Sequence, residues 1–500
     1  MLYYSTRGDK ELYSAASAVL KGLARDGGLF VPSEPLPAIA LEPLIYLSYQ
    51  ERAVAITSPF LDEFTTAEIA AFFHKAYGGA GFSDPAIAPL RRLSEDLFIL
   101  ELWHGPTCAF KDMALQFLPH LLTGAAVKTG EETTAVILAA TSGDTGKAAL
   151  EGFCNVPGTR IIVFYPRAGV SEMQRRQMAT QKGNNVHVVA VRGSFDDTQA
   201  GVKELFADSA LAEKLAHRGF KLTSANSINW GRLLPQIVYY FSAYLDLQRS
   251  GGVQAGERIN FVVPTGNFGN ILAAFYATRM GLPVHRLICA ANRNNVLDNF
   301  IRTGRYNRNR PFYRTISPSM DILVSSNLER LLFEFTGCDP VQVKEWMRLL
   351  QEKGTYRVSE DVARATADIF WSNWASEEET TAAIGSTYRK YGYLLDPHTA
   401  VAKTVYDKYR SATGDSTKTV ITATASPFKF VESVAGAVLP SSQIAGRSTF
   451  ELLPLLEQLS GLEAPASLKN LEKEPVRHSA VVDKKGIRAS LLDYLDLEED

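Results

Sequence analysis

The sequence predicts an α/β protein built mainly from parallel sheets that carry helices on both faces. From about residue 96 onwards, short aliphatic runs alternate with segments of helical periodicity, which is typical of such sheets. Residues 1 to about 95 contain mostly helices and turns instead, which indicates a separate N-terminal unit. The chain has 500 residues, of which 46% are hydrophobic and 21% are charged, and this length suits two or three domains with sizeable cores.

Hydrophobic periodicity places helices and strands along the chain. We expect helices over residues 13–24 and 66–77, and an extended segment over 29–32 after a Gly-Gly turn. The aliphatic runs predict strands at 97–102, 135–140, 161–165, 186–191, 259–263, 287–290 and 420–424. Further helices are predicted to begin near Thr145, Ser171, Phe195, Leu233 and Asn270, and residues 340–415 are helix-rich. Ligands in this kind of fold bind at the carboxyl ends of the strands.

Composition excludes several classes of function. The net charge of -2 and the lack of a basic tract argue against a nucleic-acid partner. We expect no membrane partner and a cytoplasmic location, since the chain shows neither a secretory leader nor a run of about 18 apolar residues. Four widely spaced cysteines without a C-x-x-C pair support neither a disulfide framework nor a zinc site.

Lys111 is the most informative residue for function. It lies within L-W-H-G-P-T-C-A-F-K-D-M-A-L-Q-F-L, residues 102–118, where an apolar helix is predicted to begin. Between Phe110 and Met113 a lysine is poorly placed as a solvated charge, because the desolvation of its ammonium needs compensation. One interpretation is a Schiff base with a carbonyl cofactor such as pyridoxal phosphate. The other is a buried ion pair with Asp112 or another carboxylate.

Two glycine-containing turns each connect a predicted strand to a predicted helix. They are T-S-G-D-T-G at residues 141–146 and T-G-N-F-G-N at residues 265–270. Glycine lets the backbone approach an anion closely, and the first amides of the helix point toward it. The second turn has no acidic residue and is the better phosphate site, whereas Asp144 in the first would repel a phosphate unless it faces away. Either turn alone could also be purely structural.

Other chemistries find no support in the motifs. Thr141 and Ala148 occupy two positions where a Walker A loop needs Gly and Ser or Thr, and neither turn has the dinucleotide-binding spacing. The eight histidines form no metal-binding pattern, and a G-x-S-x-G elbow is lacking. A nicotinamide or ATP enzyme is therefore a poor alternative.

Several stretches in chain order, taken together, resemble one enzyme family. They are S-T-R-G (5–8), G-L-A-R-D-G-G-L-F-V-P (22–32), H-G-P-T-C-A-F-K-D (104–112), A-T-S-G-D-T-G (140–146), S-A-N-S-I-N-W-G-R (224–232), G-N-F-G-N (266–270) and D-P-H-T-A-V (396–401). The chain resembles threonine synthase over roughly residues 3–440. That family has fold type II of pyridoxal-phosphate enzymes, like the β subunit of tryptophan synthase. The resemblance implies two three-layer α/β domains and the conversion of O-phospho-L-homoserine and water to L-threonine and phosphate.

The resemblance also implies roles for individual residues. Lys111 would carry the cofactor as a Schiff base, and the cofactor phosphate would be bound by Gly266, Asn267, Phe268, Gly269 and Asn270. Thr424, in T-A-S-P-F-K-F, would hydrogen-bond the pyridine nitrogen. Ser426 and Phe428 depart from the family's T-A-H-P-A-K-F, and Thr422 offers a second register. After substrate binding, the freed amine of Lys111 would remove the α proton and a β proton.

Candidate substrate contacts complete the predicted site. The resemblance places Ser142, Gly143, Asp144 and Thr145 around the substrate carboxylate and the cofactor hydroxyl. Candidates for binding the leaving phosphate are Asn226, Ser227, Asn229 and Arg232, although Arg232 could instead be a surface helix residue. His104 could contact substrate or be a hydrogen-bonded structural residue.

We therefore expect an N-terminal domain over 1–95 and a cofactor-binding catalytic region over 96–430. The catalytic region would contain a smaller, mobile subdomain around 140–230. Residues 431–500 would pack on the catalytic region, and the acidic tail would be frayed. The protein would act on its small-molecule substrate as a monomer or homodimer. Two alternatives stay open: a β-eliminating or β-replacing lyase such as a threonine or serine dehydratase, and a catalytically silent relative that binds phosphorylated ligands.

Overall fold

The computed structural model describes residues 1–141 and 143–498, apart from the side chain of Ala80. Its strands are β1 (Tyr3–Ser5), β2 (Phe30–Pro32), β3 (Leu90–Arg92), β4 (Leu97–Glu101), β5 (Thr134–Ala140), β6 (Thr159–Pro166), β7 (Val186–Val191), β8 (Phe220–Thr223), β9 (Ile259–Pro264), β10 (Val284–Ala291), β11 (Arg305–Asn307), β12 (Thr355–Arg357), β13 (Phe370–Trp374), β14 (Thr419–Ala423) and β15 (Val481–Val482).

The α-helices of the same residues are α1 (Ala15–Lys21), α2 (Tyr49–Thr57), α3 (Thr66–Tyr77), α4 (Asp112–Leu115), α5 (Leu118–Thr129), α6 (Asp144–Phe153), α7 (Glu172–Ala179), α8 (Phe195–Ala207), α9 (Ser209–His217), α10 (Trp230–Arg249), α11 (Gly269–Arg279), α12 (Val296–Thr303), α13 (Leu328–Phe335), α14 (Pro340–Lys353), α15 (Glu360–Ile369), α16 (Glu377–Tyr391), α17 (Pro397–Thr413), α18 (Val431–Val438), α19 (Ser441–Ile444), α20 (Thr449–Ser460), α21 (Ala466–Lys469) and α22 (Gly486–Tyr494). In this part of the chain, no helix combines the length and the apolar character needed to cross a membrane.

The larger sheet has the strand order β13-β10-β9-β14-β4-β3. Neighbouring strands run parallel except for β3, which runs antiparallel to β4. Helix α17 covers one face of this sheet, and α10 and α11 pack on the other side. Burial on both faces is the reason that these strands are continuous aliphatic runs in the sequence.

The smaller sheet has the order β15-β7-β6-β5-β8, and its strand pairs are parallel. Side chains alternate between its faces, so that Val136 and Leu138 contact the layer of α8, α9 and α22, while Ile137 packs with the residues of α6. The C-terminal residues therefore complete this sheet with β15 and cover it with α22. Strand β5 ends at Ala140, immediately before the first glycine-containing turn.

Helix α10 connects the N-terminal unit to the rest of the molecule. It is buried from Trp230 to Leu245 and packs against α2, α4, α5 and α11. The guanidinium of Arg52 in α2 contacts Asp246 at 2.9 Å, which ties the N-terminal helices to α10. The antiparallel pair β1-β2 and helices α1 to α3 form the N-terminal unit.

The seven predicted strands are all present, and the predicted α/β fold with an N-terminal helical unit is confirmed. The helix predicted near Leu233 begins at Trp230, because Asn229 caps it. Strands β8 and β13 were not predicted. The segment F-W-S-N-W of β13 follows α15 without a turn, and β8 is only half-buried, so neither has the aliphatic run of a central strand.

Candidate active site

Three adjacent strand ends of the larger sheet carry the predicted cofactor residues. Strands β9, β14 and β4 are parallel neighbours, so their carboxyl ends lie at one edge of the sheet. The 265–270 turn follows β9, Thr424 follows β14, and the segment that ends at Lys111 follows β4. The amide of Phe110 donates to the carbonyl of Thr424 at 2.8 Å, which places Thr424 beside the backbone of Lys111.

Lys111 is buried and forms an ion pair across the two sheets. Its Nζ lies 3.3 Å from Oδ2 of Asp144, at the start of α6, and 4.6 Å from the centroid of the Phe110 ring. Burial lowers the pKa of Lys111, and the positive charges of Lys429 and Arg232 lower it further, while Asp144 opposes the shift. The amine is therefore easier to deprotonate than an exposed lysine, as a Schiff-base lysine requires.

Asp112 is not the partner of Lys111, although it follows it in sequence. Its two carboxylate oxygens accept hydrogen bonds from the amide and the hydroxyl of Thr107, both at 2.8 Å. Burial raises the pKa of Asp112 to about 6, against these hydrogen bonds. A Cβ on Gly105 would lie 2.5 Å from the Cβ of Asp112, so the turn before Lys111 needs glycine there. Asp112 therefore holds this turn in place.

Asp144 is the centre of a buried polar cluster. Its Oδ1 lies 3.0 Å from Nζ of Lys429 and accepts from Gln174 Nε2 at 2.9 Å, and its Oδ2 accepts from Ser319 Oγ at 2.9 Å as well as facing Lys111. Burial would raise the pKa of Asp144, but Lys429, Lys111 and the other partners hold it well below its usual range. The carboxylate is therefore a fixed negative charge beside Lys111.

The turn over residues 265–270 has the backbone shape of an anion site. Phe268 has a φ of 64° and precedes α11, whose first amides have no acceptor within the helix. A Cβ on Gly266 would lie 3.1 Å from both the Ser319 carbonyl oxygen and the Met320 Cα, so only glycine fits without displacement. The carbonyl of Asn267 accepts from the amide of Asn327 at 3.1 Å, which fixes the turn from outside.

Asn270 presents an unused donor at the start of α11. Its Oδ1 accepts from the hydroxyls of Tyr239 at 2.5 Å and Tyr240 at 2.6 Å. With the oxygen held in this way, its Nδ2 is buried and has no partner in the described part of the chain. A buried donor without a partner fits an anionic ligand such as a phosphate.

The two possible registers of the late threonine differ in their surroundings. Thr422 lies within β14, and its hydroxyl donates to the carbonyl of Val262 at 3.4 Å. Thr424 lies beyond the end of the strand, and within the described residues its hydroxyl has no hydrogen bond. This arrangement favours Thr424 as the residue available to a cofactor.

Arg232 is buried in the first turn of α10, which rules out the alternative of a surface arginine. Its Nη1 donates to the carbonyl of Ala225 at 2.8 Å, but its Nε is buried without a partner. Among the described residues no carboxylate pairs with it, and burial lowers its pKa to about 10. A buried guanidinium without an anion is a suitable receptor for a substrate phosphate.

The other candidates near Arg232 are placed less favourably. Asn229 caps α10, with its Oδ1 accepting from Gly231 and its Nδ2 donating to the carbonyl of Val19 at 2.8 Å. Both ends of its amide are thus occupied by the protein, and its assignment to the substrate phosphate stays a prediction. Asn226 is exposed, and the half-buried hydroxyl of Ser227 contacts Nδ2 of Asn327 at 3.4 Å. Of the four candidates, Arg232 is the best placed.

Both ring nitrogens of His104 contact other residues of the protein. One ring nitrogen lies 2.8 Å from a carboxylate oxygen of Glu101 and the other lies 3.0 Å from the hydroxyl of Ser83. The ring also stacks on Trp103 with centroids 4.1 Å apart. Because both nitrogens have partners within the protein, the contacts favour the structural alternative, and a substrate contact stays a prediction.

The turn before α6 brings Asp144 into the site. The amides of Gly143 and Gly146 donate to the hydroxyl of Thr141 at 3.0 and 2.9 Å. Gly143 has a φ of 140°, and a Cβ there would lie 2.5 Å from the side chain of Gln174. Thr145 is half-buried in the first turn of α6, and Ser142 lies outside the described residues.

Sequence reasoning missed four residues in and around the cluster: Lys429, Gln174, Ser319 and His398. Lys429 and His398 lie inside the quoted stretches T-A-S-P-F-K-F and D-P-H-T-A-V, so a signal was present. Nε2 of His398 accepts from the amide of Ser319 at 3.2 Å, and its Nδ1 lies 2.7 Å from Asp396. This holds the Ser319 segment against Asp144.

Comparison with known proteins agrees with this geometry. A family model described as threonine synthase N terminus matches residues 2–77, and one described as pyridoxal-phosphate dependent enzyme matches residues 84–369. A threonine synthase from Pseudomonas aeruginosa is 42% identical over 441 residues, which cover 87% of this chain and 90% of that protein. Threonine synthase-like 1 from Homo sapiens is 40% identical over 462 residues, which cover 89% of this chain and 61% of that protein.

Solved structures show the same relationship. The structure of threonine synthase from Brucella melitensis with bound PLP superposes with a TM-score of 0.86 at 38% identity, covering 99% of each chain. Threonine synthase from yeast gives a TM-score of 0.86 at 32% identity, again covering 99% of each chain. The chain spans only 61% of the threonine synthase-like 1 proteins but nearly the whole of these two structures. It belongs to the threonine synthase family of pyridoxal-phosphate dependent enzymes.

Proposed function

We propose that the protein is a threonine synthase, which uses pyridoxal phosphate to convert O-phospho-L-homoserine and water into L-threonine and phosphate. One observation carries this proposal. The carboxyl ends of three adjacent parallel strands bring together the buried amine of Lys111, the turn that begins α11 and Thr424. The match to threonine synthases over most of the chain supports the choice of reaction.

The residues of the site fit the cofactor. The unpaired Nδ2 of Asn270 and the first amides of α11 would hold its phosphate, and the hydroxyl of Thr424 would meet its ring nitrogen. Lys111 would bind its aldehyde carbon. Bound in this way, pyridoxal phosphate supplies an electron sink that makes the α and β protons of the substrate acidic.

The chain's own groups then account for the proton transfers. Because its pKa is lowered, more of the Lys111 amine is unprotonated at neutral pH, and this form can accept the α proton and, after releasing it, a β proton. Phosphate leaves from Cγ and a proton is returned to that carbon. Water then adds its hydroxyl at Cβ while its remaining proton goes to the phosphate, and a proton is returned to Cα. Arg232 would bind the leaving phosphate, since its guanidinium is buried and lacks an anionic partner among the described residues.

The fixed negative charge of Asp144 positions the amine of Lys111. Its carboxylate lies 3.3 Å from that amine, and Ser319 and Gln174 hold it in place. The cytoplasmic location, the monomeric or homodimeric state and the mobility of the smaller subdomain stay predictions.

The test is a substrate panel. Purified protein loaded with pyridoxal phosphate is given O-phosphohomoserine, phosphoserine, threonine and O-acetylserine, and the released phosphate and the amino-acid products are measured. We expect threonine and phosphate in equal amounts from O-phosphohomoserine alone. Ammonia and a keto acid from threonine, or replacement at O-acetylserine, would assign a β-eliminating or β-replacing lyase. Binding without turnover of any of the four would indicate a silent relative.

A further inference from the structure

Lys429 is a buried lysine that the proposed proton transfers do not use. Its side chain is fully enclosed, and its Nζ lies 3.0 Å from Oδ1 of Asp144 and donates to the carbonyl of Thr107 at 2.8 Å. It lies in the short 3-10 turn Pro427–Phe430, between the end of β14 and the start of α18. It therefore reaches the same carboxylate as Lys111, but at the other oxygen.

The two lysines compete for one negative charge. Among the described residues, Asp144 also accepts hydrogen bonds from Gln174 and Ser319, which are both neutral donors, and His398 lies behind Ser319 and acts on the same carboxylate. The remaining charged groups that act on Lys111 are Arg232 from α10, which adds a further positive charge, and Asp144 itself. A protonated Lys111 is repelled by the ammonium of Lys429, and this repulsion is weakly screened because the cluster is buried.

The contacts decide which lysine keeps its proton. Lys429 has two acceptors at 3.0 Å or less, the carboxylate of Asp144 and the carbonyl of Thr107. Among the described residues, Lys111 has one acceptor, at 3.3 Å. The positive charge is therefore better stabilised on Lys429, and the amine that gives up its proton is Lys111.

We propose that Lys429 is a positioning residue whose ammonium is the permanent counter-ion of Asp144 and thereby keeps the amine of Lys111 uncharged and nucleophilic. The same contact joins the two sheets, because Asp144 begins α6 of the smaller sheet and Lys429 follows β14 of the larger sheet. This inference deepens the proposed function, since an uncharged Lys111 is what cofactor attachment requires. It concerns the free protein and does not depend on which substrate is turned over.

The test measures the protonation of Lys111 directly. Full-length protein freed of cofactor is labelled with a trace of acetic anhydride across a pH series, and the labelled fraction of the Lys111 peptide is measured by mass spectrometry. Because only the neutral amine reacts, the labelling midpoint reports its deprotonation. Wild-type Lys111 should have its midpoint below that of the exposed lysines.

Two neutral replacements of Lys429 and one charged replacement distinguish the effect of its charge from the effect of its packing. In Lys429→Gln and Lys429→Met, Lys111 becomes the only lysine on Asp144, and its midpoint should rise by about one pH unit or more, with a roughly tenfold loss of labelling below the midpoint. Lys429→Arg retains the charge and should keep the midpoint near the wild-type value. Lys403→Met is the matched control, because Lys403 is also buried but pairs with Asp407.

Circular dichroism identifies any variant that does not fold, and Asp144→Asn supplies an independent arm. With Lys429 present and the carboxylate gone, the midpoint of Lys111 should fall below the wild-type value. An unchanged midpoint in the folded neutral variants, or an unchanged midpoint in Asp144→Asn, overturns the inference. The proposed function fails separately: wild-type protein that makes no threonine while these shifts are observed would refute the reaction and leave the role of Lys429 intact.

Discussion

Among the described residues, Arg232 gives the strongest support to the proposal that the substrate carries a phosphate. A buried guanidinium whose Nε has no partner lowers stability, because its desolvation is not offset by an anion. Arg330 offers a contrast within the same molecule: it is equally buried, yet it donates to Asn327 at 2.7 Å and to the carbonyls of Phe30 and Ile228 at 2.9 and 2.6 Å. The difference indicates that Arg330 holds the fold together, and it supports the proposal that Arg232 binds the substrate phosphate.

Replacing Arg232 with Met should therefore separate stability from activity. We expect kcat/KM for O-phosphohomoserine to fall by about 10- to 100-fold, the value of one or two charge-assisted hydrogen bonds of about 1.5 to 3 kcal/mol. The thermal midpoint without phosphate should stay the same or rise, and its increase on adding inorganic phosphate should be lost. Arg330→Met should instead lower the midpoint. A loss of stability in Arg232→Met as large as that in Arg330→Met would contradict the assignment.

Asp112 makes the free energy of unfolding decrease as pH rises, which is the opposite of the usual effect of a carboxyl group. Burial raises its folded pKa to about 6, above the ordinary value of 3.8. Between these two values the folded state binds more protons than the unfolded state, so the free energy of unfolding falls as pH rises from about 4 to 6. The shift of about two units corresponds to about 3 kcal/mol, present below pH 4 and lost above pH 6.

The variant Asp112→Asn has no such titration. Its free energy of unfolding relative to wild type should increase by about 3 kcal/mol between pH 4 and pH 7, measured by urea denaturation at each pH. Parallel curves for the two proteins over this range would show that Asp112 is ionised at an ordinary pKa. Comparing the difference between the proteins cancels the other titrating groups.

At the scale of elements, the site depends on the close packing of α4 and α6. Lys111 caps α4, Asp144 begins α6, and the two helices approach so closely that Gly152 lies against the backbone of Leu115. A Cβ on Gly152 would overlap the carbonyl oxygen of Leu115. The sequence shows Gly152 only as a glycine within a helix, which would ordinarily weaken that helix.

The substitution Gly152→Ala should force α6 away from α4. We expect a loss of about 1 to 3 kcal/mol or more in stability, measured by denaturation, together with weaker cofactor binding, because Asp144 moves with its helix. Gly436→Ala is the matched control: this glycine lies in α18 with open space where a Cβ would be added, and the change should raise stability by up to about 1 kcal/mol. Equal effects of the two changes would refute the packing argument.

At the scale of the molecule, the strands of the sheets can be predicted from the sequence more completely than the contacts of the site. Strands such as β6 and β9 are buried on both faces and could be predicted from their continuous aliphatic runs. The role of the turn at 265–270 could be proposed because it follows such a run, and that of Lys111 because this lysine lies in an apolar segment that resembles the motif of the family. Which carboxylate meets Lys111 could not, since Asp144 belongs to the other sheet and the pairing depends on how the two sheets meet.

Local pattern also fails where a residue's role is set by distant contacts. Lys429 stands in an apolar stretch much as Lys111 does, and only the fold shows that it shares Asp144. His104 contacts Glu101 and Ser83 through its two ring nitrogens, and its position in a turn did not predict these partners. Asn229 is similar, because its partner Val19 lies in the N-terminal unit. Long-range contacts of this kind leave no periodic signal in the sequence.

Two buried lysines at one carboxylate make the attachment of the cofactor the sharpest test of the whole account. The protein loaded with pyridoxal phosphate is reduced with borohydride, which fixes the Schiff base, and is then digested and analysed by mass spectrometry. The convergence of β4, β9 and β14 predicts one pyridoxyl group, on the peptide that contains Lys111, with Lys429 unmodified. A pyridoxyl group on Lys429, or an unmodified Lys111 in protein that retains the cofactor, would contradict it.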